Sequence, residues 1–271
     1  AENSCRLIRH FGEGRDKIIF ALESEAPDAV DMLIIGKPLA TSLEQVPAKF
    51  LPLQTKPMLG YPAESADNHD PLVLWSSTVQ LLTDDAAAAR AKRMAERDAH
   101  PEIRPPAVSL AEQASRKAQR QAFVANTTAI EIDARKSRPV ILETGSLGEP
   151  IKAFDQCSRD SLSDWGVDPN LEDKIVRPVW APKPSAWFSS SDYPRDMAMR
   201  GQESVVKVRV LVDATGRVTK CTSLSHYMEA EFNRITCDRF SARAHFQPAE
   251  LADGTKVPSY YVNKVIFRMA R

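Results

Sequence analysis

"RVLVDATGRVTKC", residues 209–221, decides how the C-terminal third of the chain is read. Val206, Val208, Val210 and Val212 recur at every second position, the period of a half-buried strand. The pattern breaks at Asp213-Ala214-Thr215-Gly216, resumes at Val218 and meets Cys221, which predicts a hairpin with an Asp-x-x-Gly turn. Working outward, the spacing predicts strands over 205–212 and 218–223, a helix over about 230–242, a loop, and a last strand over 259–268. Turned at about 100° per residue, that helix gathers Phe232, Ile235, Thr236 and Phe240 into one apolar arc, with Cys237 at its margin. Packed across the hairpin, the helix brings Cys237 to Cys221.

The 271 residues suffice for two ordinary domains, and 43% hydrophobic with 27% charged residues is the balance of a globular protein. Lys plus Arg and Asp plus Glu number 36 each, so no net field draws the chain to nucleic acid or to an anionic membrane. No apolar run reaches the length of a membrane span. The opening "AENSCRLIRHF" lacks the basic start and apolar stretch of a signal peptide. Ala-Glu is, however, what commonly remains after cleavage at a small-residue site, and the expectation is an exported protein with its signal segment removed. Cys5, Cys157, Cys221 and Cys237 form no CxxC pair, which argues against a zinc ribbon or a thioredoxin-type site. Disulfides are the better reading, with reduced core cysteines as the alternative. If the cysteines are oxidised, keeping each bridge within one domain selects Cys5–Cys157 and Cys221–Cys237 from the three pairings.

The N-terminal part opens with strand-like pieces, "CRLIRHF", "KIIFALES", "AVDMLIIG" and "LVLWSSTVQLL", of which the last two frame a long proline-punctuated stretch over residues 37–71. That stretch reads as a loop long enough to be functional. "DDAAAARAKRMAERDAH" and "SLAEQASRKAQRQAF" are helices by composition, the second with Ser109 and Glu112 at capping-box spacing. Their charges lie almost all round, so they read as a solvated pair rather than a basic binding surface. "TTAIEID" and "RPVILETG" form a further hairpin, and a last helix runs from Glu149-Pro150 to Gly166 with Cys157 facing the sheet, where Cys5 can meet it. Residues 173–194 are rich in proline and carry Trp180 and Trp187, aromatics that dock on a domain surface or, alternatively, stack on a ligand. The whole is α+β: a β-rich N-terminal domain with helices (1–172), a Pro/Trp-rich linker (173–194) and a small ββαβ C-terminal domain (195–271).

Residues 192–267 resemble the C-terminal domain of TonB-type energy transducers. The likeness rests on Tyr193-Pro194, Gly201, "VLVDATGRV", Phe246-Gln247-Pro248-Ala249, Gly254, Val257 and a final strand closing at Phe267, in this order. Two stretches depart from the family: Ser223-Leu224-Ser225-His226 after the second strand, and Phe232-Asn233-Arg234-Ile235-Thr236 early in the helix. Family members carry an N-terminal membrane helix and a Pro/Lys/Glu-rich spacer, whereas here a folded domain precedes the module. The resemblance implies a periplasmic protein, either trimmed of its anchor or keeping the module for binding alone. It further implies that the last strand takes up an extended peptide along its edge, at Tyr260, Tyr261, Val262, Asn263, Lys264, Val265 and Ile266, as from an outer-membrane transporter. The same edge can instead pair with a second copy, giving a homodimer or a self-associating envelope protein, or be covered by the N-terminal domain.

Signals for catalysis are weak, and no cofactor is expected. His10, His69, His100, His226 and His245 form no HExxH or i, i+4 pair, and His69 in "SADNHDP" reads as an exposed loop residue rather than a metal ligand. "TGSLG" around Ser146 lacks the hydrolase elbow, Asp213-Ala214-Thr215-Gly216 is explained by its turn, and no Gly-rich nucleotide motif occurs. Asp84-Asp85 complement a helix dipole. A cell-envelope hydrolase, with its site beside residues 37–71, is the alternative reading.

Overall fold

A computed structural model describes residues 5–269 except 28, 40–42, 65–69, 76–78, 80, 101, 135–137 and 225–229. The fold is mixed α+β and divides into two compact units. Residues 1–94 with 113–161 make the first, and residues 95–112 with 162–271 the second.

The first unit is built on eight antiparallel strands, β1 (Cys5–Phe11), β2 (Ile18–Ala26), β3 (Ala29–Ile35), β4 (Val46–Leu51), β5 (Met58–Glu64), β6 (Pro71–Trp75), β7 (Ala129–Ile132) and β8 (Val140–Glu143). Their spatial order is β1-β2-β3-β6-β5-β4-β7-β8. The helices of this part are α1 (Asp84–Ala99), α2 (Leu110–Asn126) and α3 (Gly148–Asp164), α1 and α3 running on into the second unit. One face of the sheet is sealed: Phe20, Leu22, Met32, Ile34, Phe50, Trp75, Ile130 and Ile132 are buried with Phe123 of α2 and Ile151 and Phe154 of α3. Gly60 lies against Trp75, whose ring would stand 2.5 Å from a Cβ there, so only glycine lets β5 pass beneath the indole. Arg9 of β1 donates to the Thr144 carbonyl just beyond β8, so the two edges of the sheet come within a side chain of each other. Cys5 and Cys157 are bonded, with their Cα atoms 6.0 Å apart, tying β1 to α3.

Helix positions follow local chemistry. The Glu112 N–H donates to Ser109 Oγ at 3.2 Å at the head of α2, and α3 ends where Gly166 adopts φ 78° and Val167 N–H reaches back to the Leu162 carbonyl. The long loop expected over residues 37–71 is corrected: it holds β4 and β5. Val46, Ala48 and Phe50 alternate inward as a strand requires, while Pro47 and Pro62, read as breaks, sit within paired strands. β6 is described over Pro71–Trp75, and the strand read through residue 82 falls partly on residues 76–78 and 80, which lie outside the described residues. His69 and His226 lie outside the described residues.

The second unit contains α4 (Pro169–Glu172), β9 (Ile175–Arg177), α5 (Arg195–Met199), β10 (Ser204–Val212), β11 (Val218–Ser223), α6 (Ala230–Arg243), β12 (Ala249–Leu251), β13 (Lys256–Val257) and β14 (Ser259–Phe267). One antiparallel sheet has the order β11-β10-β14 and a smaller one β13-β12-β9. The alternation read in the hairpin is realised: Val206, Val208, Val210 and Val212 are buried with Phe232 and Phe240 of α6. Cys221 and Cys237 are bonded, clamping α6 to β11. Residues 173–194 are packed rather than suspended. Trp187 meets Phe240 and Phe246 edge-on, with centroids 5.8 and 5.0 Å apart, Trp180 forms a β-bridge with Gln247, and β9 pairs with β12. Residues 95–112 contribute Arg104, which shares Glu250 with Arg177 at 3.0 and 2.7 Å, and Val108, whose N–H reaches the Val176 carbonyl.

Candidate functional site

β14 pairs along its whole length with β10, from Ser204↔Phe267 to Val212↔Ser259, and stands at the end of its sheet. Which backbone groups it turns outward follows from two hydrogen bonds. The Lys207 carbonyl of β10 accepts from Leu224 N–H, on the β11 side, so Lys207 and its partner Lys264 form a non-hydrogen-bonded pair. In agreement, the Lys264 N–H is not spent on β10 but donates to Asn263 Oδ1 at 2.8 Å. By the two-residue period, the N–H and C=O groups of Tyr260, Val262, Lys264 and Ile266 turn away from β10, and those of Tyr261, Asn263 and Val265 turn toward it.

Side chains divide by the same parity. Tyr261 and Val265 pack against the core beneath α6, Tyr261 with its ring 5.0 Å from that of Phe246. Burial holds the Tyr261 phenol above its ordinary range, against a smaller opposite pull from Arg97. Tyr260, Val262, Lys264 and Ile266 lie on the other face, where Ile266 is opposite Val205 and both are exposed. Of the seven positions read from sequence, these four therefore combine an outward side chain with outward backbone groups. Tyr261 and Val265 support the strand, and Asn263 caps it.

Sequence reasoning missed what covers the other end of this face. Trp165, just past α3, sets its ring 5.9 Å from that of Tyr260 and 3.5 Å from the Arg209 guanidinium, which is only 4% exposed. An arginine between valines in a strand looks solvated, and nothing in its neighbourhood announces an indole brought from 44 positions earlier in the chain.

The Asp-x-x-Gly turn fixes the rest. Asp213 Oδ1 accepts from the Thr215 hydroxyl at 2.7 Å and from the N–H groups of Arg217 and Thr215 at 3.0 and 2.8 Å, which lowers its pKa. Gly216, at φ 87°, accepts from Phe246 N–H, so the turn grips the chain that follows α6. At the entrance Asp192, its side chain 2% exposed, accepts from Arg239 at 2.5 Å and Arg243 at 2.8 Å, both of α6, and from Ser189. Burial would raise the Asp192 pKa, but these donors outweigh it and hold it at about 2.

No group of three His, Cys, Asp or Glu side chains among the described residues is arranged to hold a metal ion. No helix among them is long and apolar enough to cross a membrane. No curated protein matches the chain. With the docked Asp192 segment, the Asp213 to Gly216 turn and the β11-β10-β14 sheet under α6 in place, the comparison with protein families falls on this same stretch: residues 189–269 match the family described as the Gram-negative bacterial TonB protein C-terminal.

Proposed function

We propose that this protein works in the periplasm and that its C-terminal domain takes up an extended peptide from a partner, such as a segment of an outer-membrane transporter, by strand addition to β14. The observation that supports this reading most is the parity of the edge: the backbone groups of Tyr260, Val262, Lys264 and Ile266 turn away from β10 in a domain that matches the TonB family. An added strand bonds to those four residues. It places alternate side chains beside Val262 and Ile266, where apolar residues fit, and beside the Lys264 ammonium.

The test is calorimetry of the full chain with TonB-box peptides and scrambled controls, repeated on Lys264→Pro. Proline at 264 removes an N–H that β10 does not use, so the sheet survives while strand addition loses a bond and meets a pyrrolidine ring. Saturable binding to the intact chain that weakens at least tenfold in Lys264→Pro, with an unchanged melting temperature, is the expected result. Equal affinity for scrambled peptides, or binding indifferent to Lys264→Pro, rules the mode out.

A further inference from the structure

The N-terminal sheet has a second face, and it is apolar. Register places Ile8, Ala21, Leu33, Leu74 and Tyr61 in one row across β1, β2, β3, β6 and β5, each with its side chain on the side opposite the sealed core. The adjacent row carries Ile19, Ile35, Leu72 and Ala63, with His10 as its one polar member. Leu59 and Pro47 extend the surface onto β4. Ile8 is 53%, Tyr61 58% and Leu59 41% exposed in the whole chain. An antiparallel sheet with one wet face alternates apolar with polar residues. Here "IIFAL", "MLII" and "LVLW" are apolar at every position, the pattern of strands covered on both sides.

We infer that this face is an interface with a second copy of the chain, two sheets stacking face to face about a two-fold axis. The rims argue for a copy rather than a bilayer. Arg6 pairs with Glu23 at 2.8 Å on one border, beside Asp31, and Lys49 with Glu131 at 2.6 Å on the other, so each border presents both signs to its twin. An anionic membrane would select cations alone, and a chain of net charge +0 does not repel its twin. The size fits a weak dimer. Six strands about 4.8 Å apart with about two apolar outward positions along each cover on the order of 350 Å². Even with the charged rims added, that falls short of the roughly 800 Å² per partner of a standard interface, the range of a reversible association.

Sedimentation velocity of the full chain across micromolar concentrations tests the inference. A monomer–dimer equilibrium is expected, its dissociation constant rising at least tenfold in Tyr61→Lys and in Ile8→Glu, with far-ultraviolet circular dichroism unchanged; two variants on different strands guard against one that misfolds. Ile266→Lys, on the C-terminal sheet, leaves this dimer intact. A protein monomeric at all concentrations overturns the inference, as does a dimer that ignores Tyr61→Lys and Ile8→Glu but is lost in Ile266→Lys, which belongs to the β14 edge. Flotation of a monomer with phosphatidylglycerol-containing vesicles overturns it in favour of a lipid surface.

Discussion

Asp192 shows how one carboxylate fixes the approach to a domain. It caps the 3-10 turn Ser190–Asp192 through Ser189 and binds two arginines of α6, so the preceding chain and the helix share one buried charge. Its folded pKa of about 2 lies below that of an unfolded chain, near 4. The stabilisation is therefore complete above about pH 4 and disappears as pH falls toward 2, and its size is about 2 kcal/mol. Asp192→Asn leaves both guanidinium groups without their anion; because they are partly solvated, the cost at pH 7 is about 2–3 kcal/mol, below that of a fully buried pair. Urea titrations at pH 7 and pH 2.5 should show the gap between wild type and variant closing at the lower pH; a constant gap would assign the loss to packing. Gly216 poses a steric question instead. A Cβ there would stand 2.0 Å from the Phe246 carbonyl oxygen at a φ that side chains avoid, so Gly216→Ala should cost about 3 kcal/mol in thermal or urea unfolding.

At the scale of the element, β14 is an edge strand with a built-in restraint. Asn263 Oδ1 occupies the Lys264 N–H, the donor at the centre of the outward set, and thereby blunts the template. Asn263→Ala should release that donor, and the expected outcome is several-fold tighter binding of a strand-adding peptide; affinity that falls instead would mean the Asn263 amide contacts the peptide. None of this was legible in the sequence, because parity depends on register, and register is set by the Lys207 and Leu224 pairing across the hairpin. What was legible came from patterns that local chemistry suffices to fix: the valine alternation of β10, the turn at Asp213, the Ser109 cap and the Gly166 stop. β4 and β5 escaped because Pro47 and Pro62 signal breaks, although each takes up a place that its neighbours permit. Arg209 escaped for a different reason: its burial depends on Trp165, a contact of long sequence separation that no period encodes.

Over the whole molecule, the two disulfides do different work, and their loops say how different. Cys221–Cys237 closes 16 positions and Cys5–Cys157 closes 152. In the chain-entropy account the bridges stabilise by about 3 and about 5 kcal/mol, because the longer loop removes more freedom from the unfolded chain. The order reverses if native packing dominates. Cys221–Cys237 ties α6 to a three-stranded sheet at the margin of its core, where both cysteines are only partly buried, whereas Cys5 is buried in a unit already sealed by Trp75, Phe50 and Phe123. Paired serine variants separate the two accounts. The Cys5→Ser/Cys157→Ser protein should lose more stability in urea if entropy governs, while the Cys221→Ser/Cys237→Ser protein should lose α6 packing first, read as accelerated amide exchange confined to α6 and β11. Thiol titration of denatured protein should find no free sulfhydryl before reduction and four after it; free thiols in the unreduced protein would dissolve both predictions together. Peptide titration of the Cys221→Ser/Cys237→Ser protein then joins the bridge to the site, since α6 packs on Val208 and Val210, the strand positions that hold β14 from behind. Weaker binding there, with the Cys5→Ser/Cys157→Ser protein unchanged, is the outcome expected if the clamp preorganises the edge.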